Sequence, residues 1–203
     1  LNTIIHTDAA DIDILLVAPT GEKFILMSDV ANSAGLDAAA TLTLADGATV
    51  FPTTGQFPTG TYAPRDVTSG DTFAAPAPAG PYVSPATVGI GTLNGTFAGK
   101  DPNGAWSLYV VDDASGDVGS IQSWCMEFTT SLNTPTSTAT ATATNTSTAT
   151  NTGTATSTAT NTATPTPTAT CLAYNFANPA AITIPGGAPT TTTGPASPYP
   201  SNI

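Results

Sequence analysis

Short runs of β-branched and apolar residues, each cut off by a Pro/Gly turn, dominate the first two thirds of the chain. Ile12-Asp13-Ile14-Leu15-Leu16-Val17 stops at Pro19-Thr20-Gly21, which leads into Lys23-Phe24-Ile25-Leu26-Met27. Two such runs joined by a turn predict neighbouring strands. Thr41-Leu42-Thr43-Leu44 alternates as a strand with one solvated face does, and Asp46-Gly47 ends it. Residues 106–111 and 121–128 predict two more strands. Between Phe51 and Val83 Pro and Gly recur, notably in Ala75-Pro76-Ala77-Pro78-Ala79-Gly80-Pro81, which predicts surface loops with one edge strand. No segment carries a helical period. Many short strands with turn signals predict an all-β fold, an antiparallel β-sandwich over residues 1–131.

The pattern then changes. From Thr134 to Thr170 every even-numbered residue is threonine, and the odd positions hold only Pro, Ser, Ala, Asn and Gly. Such a stretch has no large apolar side chain with which to offset its chain entropy. It divides the chain into a folded module (1–131), an extended Thr-rich linker (132–170) and a tail (171–203). Period-two threonine suits a strand with one all-Thr face. It equally suits an extended rod O-glycosylated at sites such as Thr140, Thr148 and Thr156.

Charge narrows the partners. Three basic residues stand against fourteen acidic ones, giving a net charge of −11, and no charged residue follows Glu127. That surface repels phosphate backbones and anionic headgroups, so nucleic-acid and peripheral membrane binding are not expected. No apolar run reaches the roughly 20 residues of a membrane span. Only 8% of residues are charged, and the Thr-, Ala-, Gly- and Pro-rich composition predicts a secreted or extracellular surface protein. The chain opens in mid-phrase at Leu1-Asn2-Thr3, as a processed or excerpted segment would. With two cysteines, Cys125 and Cys171, a single His and no CxxC, zinc is not expected. In an oxidising exterior such cysteines form disulfides; two free thiols are the other reading.

Several separated phrases occur together in one order. They are His6-Thr7, Asp11 to Gly21, Met27-Ser28-Asp29, Asp71-Thr72-Phe73, Pro102 to Asp113, and Gly116-Asp117-Val118-Gly119-Ser120-Ile121 leading to Trp124. Over nearly all of 1–131 the chain resembles the P-domain, the jelly-roll-like β-sandwich found beside the catalytic domain of proprotein convertases, in its bacterial secreted form. The resemblance implies no catalysis, because the convertases' proteolytic machinery lies in a separate domain.

Against that pattern the frame is shifted. The family's opening strand and Pro-rich phrase are missing before Leu1 and appear at the other end, as Ala180 to Pro185 and Gly194 to Ile203. One further strand, between Ile203 and the Leu1 of a following unit, is unaccounted for. Residues 1–131 are thus expected to form a sandwich with an open edge, and the tail, with donor strand Ala181-Ile182-Thr183-Ile184, a strand without a sheet. The tail of one copy enters the next, generating a head-to-tail filament; or it closes its own sandwich; or the chain is one period of a tandem array. The resemblance also implies that Cys125 on the final strand pairs with Cys171 ahead of the opening one.

The acidic turns suggest calcium, a hard cation that takes oxygen ligands. The candidates are Asp112, Asp113 and Asp117 in one turn and Asp11 and Asp13 beside Asp8 in another. His6 belongs to the His-Thr phrase and is expected to be structural. The loop aromatics Tyr62, Phe73 and Tyr82 admit a sugar platform, but aromatics so placed are more often a lid on a small core. The expected function is a non-catalytic structural protein whose partners are copies of itself and, on the tract, glycans. The alternative is an accessory, stabilising module of a larger secreted protease or surface protein.

Overall fold

A computed structural model describes residues 1–32, 35–131, 171–178, 182–185 and 190–193. Contacts divide the chain into two compact units, Leu1–Glu127 with Asn175–Ile203, and Phe128–Tyr174. The tract 132–170, with Thr140, Thr148 and Thr156, lies outside the described residues, as does Ala181.

The described residues are all-β apart from a 3-10 turn at Ala9–Asp11 and the one-turn helix α1 (Leu93–Phe97), neither of which the sequence pattern predicts. The strands are β1 (Asn2–His6), β2 (Ile12–Val17), β3 (Lys23–Ser28), β4 (Leu36–Ala40), β5 (Leu42–Val50), β6 (Gly60–Ala63), β7 (Arg65–Asp66), β8 (Ser107–Asp112), β9 (Val118–Ser131), β10 (Cys171–Asn178), β11 (Ile182–Pro185) and β12 (Thr190–Thr193). One sheet runs β10-β9-β1-β4 with β11 also on β9. The second runs β12-β8-β2-β3-β7, and β5 pairs with β6 separately. Pairing is antiparallel within β1-β4, β1-β9, β2-β3, β2-β8, β9-β11 and β8-β12, and parallel in β3-β7 and β5-β6. None of the described helices is long and apolar enough to cross a membrane.

The second sheet is buried on both faces. Register sets Ile14 beside Val110, and Leu16 beside Leu108 and Phe24, so these fully or nearly fully buried side chains share one face. The other face carries Leu15, Ile25 and Val111. It is covered by Phe73, Ala77 and Tyr82 from the Pro/Gly-rich segment. That segment is therefore a packed layer. Tyr82 Oη donates to the Pro78 carbonyl at 3.0 Å and its ring meets Phe73 edge-on at 5.3 Å. Tyr62 stacks on Phe51 at 4.5 Å and both are buried. These contacts commit Tyr62 and Phe73 to apolar packing, the lid role rather than an open sugar platform.

His6 ties the two sheets together. It ends β1 in the first sheet, and its Nε2–H donates at 3.1 Å to Asp112 Oδ2, the end of β8 in the second; both side chains are fully buried. Asp112 Oδ1 also accepts from the Ala114 amide at 3.1 Å. The imidazole needs a neighbour with no side chain, and Gly119 supplies it opposite His6 on β9. A Cβ there would lie 2.4 Å from His6 Cδ2 and 2.3 Å from the Ile5 carbonyl oxygen. The obstructing oxygen is backbone, so relief requires the strands to part. Gly119→Ala is expected to lower the unfolding free energy by about 3 kcal/mol in urea denaturation. A loss below about 0.5 kcal/mol, the range of neutral surface changes, would contradict this packing.

Candidate functional site

Two features stand out above the general packing: the edge where the tail docks, and a group of buried carboxyls. At the docking edge, β9 has a strand on either side over the same residues. Ile121 faces Ile4 of β1 and Ile182 of β11; Ser120 faces Ile5 and Thr183; Gly119 faces His6 and Ile184. The β-branched sequence Ile182-Thr183-Ile184 has the period-two pattern this edge requires. Ile182 and Ile184 are 1% and 0% exposed, while Thr183 is exposed. Full burial of an isoleucine contributes about 1.5–3 kcal/mol, which two residues set against the entropy of ordering the tail.

A few residues on, β12 docks antiparallel on the outer edge of β8, with Thr190 opposite Val110 and Thr193 opposite Ser107. One short segment thus closes an edge of each sheet. Without it, the backbone N–H and C=O groups along 107–110 and 118–121 would be unpaired on that side, a template for another strand. The donor residues Ile182, Thr183 and Ile184 therefore lie on a sandwich edge, here that of their own chain. Cys125 sits on β9 as an exposed free thiol, and Cys171 opens β10.

The carboxyls gather on the covered face of the second sheet. Asp13 interrupts the apolar run of β2 and is only 3% exposed. Asp29 follows β3, and Asp71 opens the Pro/Gly-rich cover. One carboxylate oxygen from each of Asp13, Asp29 and Asp71 lies within 4.8 Å of the others. Ser28 Oγ is buried among them, 3.3 Å from Asp29 Oδ2. Asp66 of β7 pairs in register with Ser28 and is 1% exposed. Burial, then the charge of Asp71, pushes the Asp13 carboxyl up to about 8 against a hydrogen bond from Ser28. Burial and then Asp66 push Asp71 up to about 6, and burial raises Asp66.

Of the acids singled out in the sequence, only Asp13 belongs to this group. Asp112 is held by His6, and Asp117 Oδ1 accepts from the Thr7 hydroxyl at 2.5 Å. The Asp113 amide donates to the Asp11 carbonyl at 3.0 Å. Burial and the charges of Asp8, Asp112, Asp117 and Asp113 raise Asp11 to about 6. Those acids share a field, but among the described residues the converging carboxylates are Asp13, Asp29 and Asp71. In the sequence Asp29 and Asp71 stand out only as parts of the family phrases and Asp66 not at all, because Asp13, Asp29 and the 66–71 stretch are far apart in the chain. The available signal was Asp13 itself, a charge in the middle of an apolar strand.

No protein-family model, curated protein or solved structure matches this chain.

A carboxyl whose folded pKa lies above its unfolded value, about 3.9 for Asp, binds more protons folded than unfolded. The stability it contributes is full below about pH 4 and is lost as pH climbs through the folded values, about 6 and about 8. In EDTA the melting temperature is therefore expected to fall between pH 5 and pH 8.5. A flat or rising profile over that window would contradict the burial of these groups.

Proposed function

We propose that the chain is a non-catalytic, extracellular structural subunit. It is a P-domain-like module whose tail completes the sandwich of the next copy, so that subunits join head to tail into a surface fibre. The observation that carries this reading is the burial of Ile182 and Ile184 on the edge of β9 by a segment that the Thr-rich linker separates from the module. An edge that accepts the tail of its own chain accepts the identical tail of a neighbour, and such a contact propagates without closing. The free, exposed Cys125 supports a covalent lock to Cys171 of another copy. The neutral linker (132–170), outside the described residues, is the connector and carries O-linked glycans.

The cis pairing of β11 and β12 favours a second reading, a self-closed accessory module of a larger secreted protein. Concentrated full-length protein with blocked thiols separates the two on a non-reducing gel and by negative-stain microscopy. Filaments, with a ladder that collapses on reduction and is lost in the Ile182→Asp/Ile184→Asp variant, are expected. Monomers at every concentration would overturn the fibre reading in favour of the accessory one.

A further inference from the structure

Among the described residues the exposed large apolar side chains are not scattered. Three of the six, Val83, Val88 and Ile90, sit on one loop. Single exposed apolar residues are ordinary, whereas a cluster marks a contact surface. Val83 and Val88 are each 41% exposed, and Ile90, at 98%, stands almost wholly in solvent.

The loop that carries Ile90 is tightly built. Val83 lies beside β3, donating to the Lys23 carbonyl at 2.9 Å and accepting from the Ile25 amide at 3.0 Å. The Gly89 amide donates to the Pro85 carbonyl at 2.7 Å, and the Gly91 amide to the Ser84 carbonyl at 2.9 Å. A Cβ on Gly89 would collide with the Ser84 carbonyl oxygen, and one on Gly91 would lie 2.5 Å from Val83 Cγ1. Two glycines thus let the chain close on itself on either side of Ile90, which becomes a fixed knob.

Beside the knob lies a cleft of about 380 Å³, with Val83, Gly91, Thr92 and Thr96 on its walls and room for an isoleucine side chain. The helix α1 that supplies Thr96 is fixed too. The Leu93 and Asn94 amides donate to the two carboxylate oxygens of Asp46, each at 2.8 Å. The Gly95 amide donates to Thr92 Oγ1 at 2.9 Å, and the Phe97 ring meets Phe24 and Trp106 edge-on.

Charge selects the occupant. Each copy of the chain carries −11, so two copies repel one another over most of their surface. No residue from Thr72 to Gly99 is charged, however, and the two charged residues on the cleft wall, Glu22 and Lys100, pair with each other at 2.9 Å. On this patch two acidic molecules meet without facing like charges.

We propose that Ile90 and the cleft beside it form a self-complementary docking surface for a second copy of this chain. Across a two-fold axis the Ile90 knob of each copy enters the cleft of the other. Such a contact uses one patch twice, so a knob and a hole side by side are enough to build it. Both are set before contact, so little ordering opposes association. The surface is distinct from the tail edge, and the proposal does not rest on the head-to-tail reading. Self-closed modules would pair and stop; fibres would pair side by side, with many weak contacts acting together.

The test is small-angle X-ray scattering of the full chain with blocked thiols, over a concentration series at low and high salt. Mass, or mass per unit length where fibres form, is expected to double as concentration rises. Doubling is expected at lower concentration in high salt, which screens the repulsion between copies and leaves the apolar contact. Ile90→Ser, at an exposed position, is expected to keep the wild-type melting temperature. It is expected to raise the doubling concentration at least about tenfold, because each pair loses two buried isoleucines. A single mass at every concentration, doubling that survives Ile90→Ser, or doubling that weakens in salt would overturn the proposal. Pairs that depend on Ile90 in the absence of any fibre would support it while removing the head-to-tail reading.

Discussion

The outer edges of β8 and β9 have to be covered, and most of what is distinctive in this chain follows from that. Ile121 on β9 is fully buried only with a strand on each side of it, Ile4 from β1 and Ile182 from β11. A bare ladder at that place would combine unpaired backbone with an apolar face, the condition under which sheets recruit foreign strands. The tail meets both needs. Its isoleucines enter the core row by row, its threonine faces out, and its continuation closes the second sheet. Because the linker joins module and tail, whether the edge is covered from within or from a neighbour is a matter of reach and concentration. The ladder is the same in either case.

A second constraint is electrostatic. Fourteen acids on a chain with three Lys and Arg residues must be solvated, paired or protonated. Asp112 is paired, and its bond to His6 holds the two sheets at one end. Glu22 is paired with Lys100, and hydrogen bonds from Thr20 and Lys100 hold it down at about 2. Asp13, Asp66 and Asp71 are raised instead, each first by burial. They lie beneath a layer of Pro, Gly and aromatic residues held over the sheet by a small apolar cluster. The cover is thus held by apolar contact around Phe73 and strained by like charge around Asp71.

The parts of the fold that could be read from the chain are those where local pattern and tertiary role agree. The run 12–17 is observed as β2 with those limits, the run at 23–27 gains one residue at its end, and the run at 106–111 moves on by one residue, because apolar and β-branched residues between Pro/Gly turns have no rival conformation. β1 was missed because its inward positions are Ile4 and His6, and a polarity pattern assigns a histidine to the solvent side. β4, Leu36-Asp37-Ala38-Ala39-Ala40, has little strand propensity and owes its form to pairing with β1. The loop aromatics lie among Pro and Gly, where pattern alone leaves both a lid and an open platform possible. They are buried because the second sheet needs a cover on its outer face. The acidic turns were legible as sequence clusters, but the buried carboxyls converge in space, and register between β3 and β7 sets Asp66 opposite Ser28.

The central claim, that the tail is an integral strand of the sandwich, is tested most directly by hydrogen exchange on the full chain. If it holds, the amides of 182–184 that pair with β9 and their partners at 118–121 exchange as slowly as those paired between β2 and β8. Exchange of 182–184 at the rate of a free peptide, with β2 and β8 protected, would contradict it.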